Sequence, residues 1–136
     1  MSDVEATIHA YFEGINAERY DRVAALFAAD GVLIAPGIEP RRGAAEIEEY
    51  FRSALRLYPE HHDDPTRTIV AGSTATVEIH FTGALESGAR MEFDAVDVFD
   101  LDDQGRIARL SSWYNSHAVR SQLRAALEAQ ATGGAA

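Results

Sequence analysis

The sequence lacks several features whose absence excludes whole classes of function. It contains no cysteine, so neither a disulfide bond nor a thiolate nucleophile is possible. No apolar run approaches the ~20 residues that a helix needs to cross a bilayer. The opening stretch, MSDVEATIHAYFEG, has no basic region followed by an apolar one. It therefore predicts no secretory signal, and the cytoplasm is the expected location.

Positive charge is also scarce. The chain has 12 Lys and Arg residues against 22 Asp and Glu residues, a formal net charge of −10. This charge repels phosphate backbones and anionic lipids, so neither nucleic acid nor a membrane is an expected partner. What the chain does have is 46% hydrophobic residues over 136 positions, enough for one domain with a real core. We expect that domain at residues 1–130 and a disordered tail at 131–136.

The first half of the chain has apolar residues at helical spacing. Three helices are predicted, at residues 3–17, 19–29 and 43–58. In the first helix, Tyr11 falls on the buried stripe with Ile8 and Ile15. Gly31 is expected to close the second helix in the left-handed conformation that often follows a helix. A short strand is predicted next, at 32–35.

The second half changes to the alternating pattern of strands. Four strands are predicted, at residues 66–72, 74–85, 90–101 and 106–115. The turn sequences ESGA and DDQG separate the last three and indicate hairpins, and a short helix is predicted at 116–128. Helices first and long antiparallel strands later predict an α+β fold. We expect a cone-shaped, curved, mixed or antiparallel sheet packed on three N-terminal helices, with a cavity between them and a short C-terminal helix.

One carboxylate has an unusual position in the strand predicted at 90–101. Alternation puts Asp97 on an otherwise apolar face, which also carries Met91, Phe93, Ala95, Phe99 and Leu101. A buried carboxylate must be paired, hydrogen-bonded or protonated, and apolar surroundings raise its pKa. A protonated Asp97 would donate a hydrogen bond to a carbonyl oxygen that gains negative charge. The structural alternative is that Asp97 pairs with an arginine or caps a loop, and that Tyr11 is simply a core residue.

At these residues the chain resembles the bacterial ketosteroid isomerases. They belong to a cone-shaped α+β superfamily that includes nuclear transport factor 2 and the SnoaL-like polyketide cyclases. The resemblance runs from Ala6 to Tyr114. It rests on YFEGINAERYDRVAALFAADGVL, on PGIEPRRG before the third helix and on VDVFDLDDQGRI before the last strand. It implies that Tyr11 and Asp97 form an oxyanion hole in which Asp97 is the protonated member.

The chain departs from the isomerases at the catalytic base. Their proton-shuttling aspartate precedes a PVG motif, and the matching position before EPRRG holds Ala35, or Ile34 if the gap shifts. Neither side chain moves a proton, whereas isomerisation needs a group that carries hydrogen between two carbons. The candidate replacements are Glu39, in the same loop, and His61, in a YPEHHDDP segment expected to form a flexible acidic loop or lid. The alternatives are a solvated Glu39 and a metal site at His61 and His62, for which no matching ligand pattern appears elsewhere.

Ligand contacts are expected from aromatic and polar side chains around the cavity. The candidates are Tyr50, Phe93, Phe99, Trp113, Tyr114, Asn115 and His117. Trp113 and Tyr114 face opposite ways in the last strand, so one of the two should line or close the pocket. The structural alternative for His117 is the first turn of a helix that Ser116 caps.

The sequence therefore predicts an enzyme of enolisation-linked chemistry: isomerisation, cyclisation or dehydration of a small apolar carbonyl compound such as a steroid, polyketide or terpenoid intermediate. No metal or other cofactor is expected. A cone without a base can instead bind a hydrophobic ligand or act as a dimeric interaction module. Epoxide hydrolysis ranks lower because neither Arg90 nor Arg109 can be placed inward beside Asp97. A homodimer is expected from the resemblance and from the outward-facing Val96 and Val98.

Overall fold

The computed structural model describes the backbone of residues 3–134 and the side chains of residues 3–129 and 131. In chain order, this part contains α1 (Asp3–Asn16), α2 (Tyr20–Ala24), β1 (Phe27–Ile34), β2 (Arg41–Arg42), α3 (Gly43–Leu55), β3 (Glu60–Ala71), β4 (Thr74–Ala84), β5 (Arg90–Leu101), β6 (Ile107–Tyr114) and α4 (Ser116–Gly134). The strands form one curved sheet in the order β2-β1-β6-β5-β4-β3. β1 runs parallel to β6, and the other neighbouring strands are antiparallel. The predicted α+β fold with a mixed sheet is confirmed.

The core lies between the helices and one face of this sheet. In α1, Ile8, Tyr11, Phe12 and Ile15 are buried at the i, i+3, i+4 and i+7 spacing of a single helix face. They pack in one cluster with inward-facing side chains of the sheet, among them Phe99. The amphipathic spacing of α1 therefore decides which of its residues meet the sheet.

The end of α1 is a sharp corner that leads into α2. Glu18 adopts a left-handed conformation with a φ of 58°. The amide of Glu18 donates to the carbonyl of Ile15 at 3.1 Å, and the amide of Arg19 donates to the carbonyl of Gly14 at 2.8 Å. This pair of hydrogen bonds is the Schellman ending of a helix, with Glu18 where glycine most often stands. The corner is therefore fixed by backbone hydrogen bonds around one strained residue.

The second helix is shorter than predicted. α2 ends at Ala24 and β1 begins at Phe27, so both the predicted helix and the predicted strand have wrong boundaries. Gly31 lies within β1 and does not have a positive φ. A Cβ atom there would lie 2.9 Å from the carbonyl oxygens of Ala28 and Ile107. The glycine is needed because β1 and β6 approach closely where their pairing is irregular, and it does not end a helix.

The segment at 60–65 is a strand, which corrects the predicted loop or lid. Its residues pair with β4, from Glu60 opposite Ala84 to Pro65 opposite Ile79. EHHDDP has no apolar alternation from which a strand could be predicted, and Pro65 is tolerated because β3 is an edge strand. α3 ends at Leu55, which is also earlier than predicted.

The C-terminal helix is longer than predicted. α4 continues to Gly134, so the predicted end at Glu128 is wrong, and residues 131–134 of the predicted tail are helical. Residues 135 and 136 lie outside the described part of the chain. None of the helices described here is long and apolar enough to cross a membrane.

Gly31→Ala tests the close approach of β1 to β6. We expect the added methyl group to lower the free energy of unfolding by about 1–3 kcal/mol, because it overlaps two backbone oxygens that the sheet holds in place. Asp30→Ala, at the exposed neighbouring position, is the control and should change stability by less than about 0.5 kcal/mol. Urea unfolding measures both, and equal stabilities would contradict the packing argument.

Candidate functional site

A cavity lies between the helices and the concave face of the sheet. Its volume is about 170 Å³, close to the ~150 Å³ of an engineered apolar cavity that binds benzene. Residues of α1, α3, β1 and β3 to β6 form its wall, and Val119 of α4 adds to it. Most of these side chains are apolar or aromatic. The cavity therefore has room for about one six-membered ring.

Tyr11 and Asp97 both lie in the cavity wall. They are almost completely buried, with 3% and 4% of their surface exposed. The rings of Phe12, Phe51 and Phe99 contact the Tyr11 ring edge to face, at centroid distances of 5.0, 6.0 and 5.0 Å. These contacts fix the orientation of the Tyr11 ring and hence the place of its hydroxyl group.

Asp97 is a carboxylic acid with an unpaired oxygen. Burial raises its pKa from 3.8 to about 7; the hydroxyl of Ser112, its cross-strand neighbour, lowers the pKa, and the charge of Asp63 raises it. The Oδ1 atom of Asp97 is buried and has no hydrogen-bond partner within the described part of the chain. No arginine neutralises it there, which removes the structural alternative of an ion pair. A neutral Asp97 can therefore donate a hydrogen bond to a ligand oxygen.

Asp63 is the residue of this site that sequence analysis missed. It lies opposite Phe81 in the pairing of β3 with β4, and it lines the same cavity. Burial raises the pKa of Asp63 to about 6, and His62 lowers it. Burial also raises the pKa of Tyr11 and Asp97, and the charge of Asp63 adds to both effects, so its carboxylate lies within electrostatic range of both groups. Asp63 can hold a negative charge near neutral pH and accept a proton inside the cavity.

The sequence contains only a weak signal for Asp63. Its i, i+2 spacing from His61 puts the two residues on one face of a strand. However, no apolar residue in 60–65 shows which face points inward. The pairing with β4 supplies that reference, because the opposite residue, Phe81, is buried.

Three of the predicted ligand contacts, Tyr50, Phe93 and Tyr114, belong to the cavity wall. Phe93 and Tyr114 continue a row of rings that starts at Tyr58 and Phe81, with successive centroid distances of 5.3, 4.7 and 5.5 Å. We call this row the aromatic belt; it offers ring faces on which a flat ligand can stack. Burial raises the pKa of Tyr50 and of Tyr114, so their hydroxyl groups remain protonated donors.

The other four predicted contacts lie outside the cavity wall. Phe99 is completely buried in the core, and Trp113 faces the other side of the sheet, where it is 49% exposed. The Oδ1 atom of Asn115 accepts a 3.0 Å hydrogen bond that caps the start of α4, which corrects the predicted cap at Ser116. His117 is exposed in the first turn of that helix. Core packing accounts for Phe99 and helix capping for Asn115.

Neither predicted replacement for the base lies in the cavity wall. Glu39 is exposed in the loop between β1 and β2. The His61 side chain is 1% exposed, and its Nε2 atom lies 3.2 Å from Glu18 Oε1 and 3.3 Å from the Tyr20 hydroxyl group. Ala35, at the position of the isomerases' aspartate, is buried. Among the described residues, the cavity wall has one carboxyl group besides Asp97, that of Asp63 on β3.

The groups required by the remaining hypotheses also lie elsewhere. Arg90 and Arg109 are exposed, and the Nε atom of Arg109 donates to Ser111 Oγ at 3.0 Å. Among the described residues, no arginine belongs to the cavity wall. The same residues contain no group of three or more His, Asp or Glu side chains placed to hold a metal ion.

The fold is that of the nuclear transport factor 2-like, ketosteroid isomerase-like class of proteins. Within that class, residues 8–110 match the family model of the SnoaL-like domain. The chain belongs to this SnoaL-like family.

Solved structures share the fold at low sequence identity. TerC, co-crystallised with polyporic acid, is 17% identical with a TM-score of 0.81, over 90% of this chain and 99% of TerC. SalBIII, an epoxide hydrolase/cyclase-like enzyme in pyran ring formation in the polyether salinomycin, is 22% identical with a TM-score of 0.73, over 82% of this chain and 90% of SalBIII. An LEH-like epoxide hydrolase of M. tuberculosis is 20% identical with a TM-score of 0.73, over 96% of both chains.

Asp97→Asn tests whether this carboxyl group is buried and neutral. Since its pKa is raised on folding, the native state binds more protons than the unfolded state between pH 3.8 and about 7. The wild type should therefore lose stability as pH rises through that window, and Asp97 should account for roughly 2–4 kcal/mol of the loss. Asp97→Asn should keep only the smaller loss that comes from Asp63, whose pKa is raised to about 6. Urea unfolding at pH 4.5 and 8 measures the effect. Asp103→Asn, at an exposed turn, is the control and should show the pH dependence of the wild type. If Asp97→Asn also shows the pH dependence of the wild type, Asp97 is not a buried neutral acid.

Proposed function

We propose that this protein is an enzyme of enolisation-linked chemistry that acts on an apolar carbonyl compound. Tyr11 and Asp97 donate hydrogen bonds to the carbonyl oxygen, and Asp63 is the base. The observation that carries the proposal is the unpaired Oδ1 atom of Asp97, buried in a cavity wall that also contains Tyr11 and Asp63. An unpaired buried polar atom is costly unless a ligand satisfies it.

The proposed reaction begins with proton transfer from carbon. The carboxylate of Asp63 removes the proton from the carbon next to the carbonyl group. The electron pair of the broken C–H bond forms a carbon–carbon double bond, and the π electrons of the carbonyl group move onto its oxygen. The resulting enolate oxygen accepts hydrogen bonds from Tyr11 and from protonated Asp97. Return of the proton from Asp63 to a different carbon completes an isomerisation. In a cyclisation, the enolate carbon instead attacks a second carbonyl carbon of the same molecule, and the first carbonyl group forms again. The π electrons of the attacked group move to its oxygen, which takes the proton held by Asp63.

The two carboxyl groups have the protonation states that these roles require. The pKa of Asp63 is raised to about 6 and that of Asp97 to about 7, in both cases by burial first. Near neutral pH the pair therefore holds a proton mainly on Asp97 and a negative charge mainly on Asp63. Because the groups interact, these values describe the pair, and activity should follow a bell-shaped pH profile.

The volume of the cavity limits the size of the part of the substrate that can enter it and react. About 170 Å³ holds one ring, and the aromatic belt provides faces for it. We therefore propose that the ring that bears the reacting carbonyl group enters the cavity, whether the compound is a polyketide, a terpenoid or a steroid intermediate. The second candidate function, ligand binding without turnover, is favoured by the mainly apolar wall, and only a test of proton transfer separates the two.

Two single-ring probes test the proposed hydrogen-bond donors and the proposed base separately. Phenol should bind through Tyr11 and Asp97, and cyclohexanone in D₂O should exchange its α-hydrogens, as NMR measures. Asp63→Asn should lower the exchange rate by about 10²–10⁴-fold, because it removes the proton acceptor. The same variant should retain phenol binding or strengthen it, because a nearby negative charge is lost. Asp97→Asn should weaken phenol binding by at least about tenfold.

Glu39→Gln is the control for the predicted base that lies outside the cavity. It should leave both exchange and phenol binding unchanged. Exchange that survives in Asp63→Asn would overturn the role of Asp63. Phenol binding without exchange in the wild type would favour the binding protein over the enzyme, and absence of both would contradict the proposed site.

We also propose that the protein is a homodimer that forms through the convex face of the sheet. Trp113 is opposite Val96 in the pairing of β5 and β6, and with Val98 these residues give that face an apolar patch. Trp113→Glu should shift sedimentation velocity from dimer to monomer, whereas Trp113→Phe should not. A wild type that sediments as a monomer even at high concentration would refute the dimer.

A further inference from the structure

The last residue of α1 is hydrogen-bonded to the backbone of the proposed base. The Nδ2 atom of Asn16 donates to the carbonyl oxygen of Asp63 at 2.9 Å. The amide of Asp63 donates to the Oδ1 atom of Asn16 at 2.8 Å. One side-chain amide therefore satisfies both backbone polar groups of Asp63, and both hydrogen bonds are partly buried. Asn16 does not line the cavity.

We propose that Asn16 is a positioning residue that holds the carboxylate of Asp63 in place relative to the hydroxyl group of Tyr11. This inference rests on the proposed function, in which Asp63 is the base and Tyr11 a donor. Asn16 acts on Asp63 through the backbone, so it takes no part in proton transfer itself.

The position of β3 in the sheet explains why such a contact is needed. β3 is the edge strand beyond β4, so one side of its backbone has no neighbouring strand. Asn16 makes with Asp63 the pair of hydrogen bonds that a neighbouring strand would otherwise supply. An edge strand without that partner can fray, and its side chains then lose their fixed place. The contact thus gives an edge residue the order that a catalytic group requires.

The corner after α1 makes this contact rigid. Asn16 and Tyr11 lie on the same helix, so the distance from Tyr11 to the clamped backbone of Asp63 is set by helix geometry. Beyond Asn16, the left-handed Glu18 ends the helix, and its carboxylate lies 3.2 Å from His61 Nε2. The corner therefore contacts β3 at His61 and at Asp63, whose side chains lie on the same face of the strand. The donor and the base become parts of one packed unit.

The chain contains a matched contact away from the cavity wall. The amide of Glu92 donates to the Oε1 atom of Gln122 at 2.6 Å, and the Nε2 atom of Gln122 donates to the carbonyl oxygen of Glu92 at 3.0 Å. This is the same side-chain clamp on a backbone residue, between α4 and β5. Neither Gln122 nor Glu92 lines the cavity. Gln122→Ala therefore controls for the general effect of removing a side-chain amide that is hydrogen-bonded to the backbone of a strand.

The test compares Asn16→Ala, Asn16→Asp and Gln122→Ala in the whole protein. The pKa of Asp63 is read by carboxyl ¹³C NMR, which needs no turnover, and the exchange of cyclohexanone and the binding of phenol are measured as above. Asn16→Ala should free the start of β3, expose Asp63 to water and lower its pKa. Exchange should fall by about 10–100-fold, whereas the dissociation constant of phenol should change by less than about threefold.

Asn16→Asp separates positioning from a general loss of stability. Its carboxylate can still accept from the amide of Asp63 but cannot donate to the carbonyl, and its charge should raise the pKa of Asp63. The acid limb of the exchange profile should therefore move to lower pH in Asn16→Ala and to higher pH in Asn16→Asp. Gln122→Ala should move neither. If Asn16→Ala behaves like Gln122→Ala while Asp63→Asn is inactive, the positioning role is wrong and the proposed function stands.

Discussion

Asp97 belongs to an apolar wall in which ionisation is costly, and the arrangement of the site depends on that cost. Solvation of the carboxylate would lower its pKa, so the raised pKa depends on the burial of Asp97 between the helices and the concave face of the sheet. The edge-to-face packing of Phe12 and Phe99 on the Tyr11 ring fixes the place of its hydroxyl group. The same burial makes the folded state less stable once Asp97 loses its proton, because no cationic side chain among the described residues neutralises the charge. The stability of the fold and the proposed donor role therefore both require the protonated form of this residue.

The pKa values of Asp97 and Asp63 differ because the sheet buries the two carboxyl groups to different degrees. Asp97 is on β5, which has strands on both sides and helices above its inner face. Asp63 is on the edge strand β3 and is only half-buried, and burial raises its pKa less, to about 6 against about 7 for Asp97. The charge of Asp63 also raises the pKa of Asp97. The proposed donor and the proposed base thus lie in one cavity, one near the middle of the sheet and the other at its edge.

Sequence reasoning succeeded where apolar residues mark the inward direction. The alternation of β4 and β5 and the helical spacing of α1 are regular, and these patterns alone put Tyr11 and Asp97 on buried faces. Sequence reasoning failed where no apolar residue marks the inward face of a strand. The start of β3 is entirely polar or proline, and in β1 the run FAADGVLI contains a glycine and a charged residue that resemble a helix end. There the pairing with β4 and β6, which involves residues distant in sequence, overrides the local pattern.

The sequence by itself determined the fold class and the inward position of Asp97 and Tyr11. These follow from periodicity and residue type, which are local properties. Only the tertiary structure decided that Asp63 faces the same cavity, that Trp113 and His117 do not, and that Asn16 holds the start of β3. Each of these facts depends on how the sheet curves and where its edge meets the end of α1. Such contacts join residues far apart in the chain, and no local pattern encodes them.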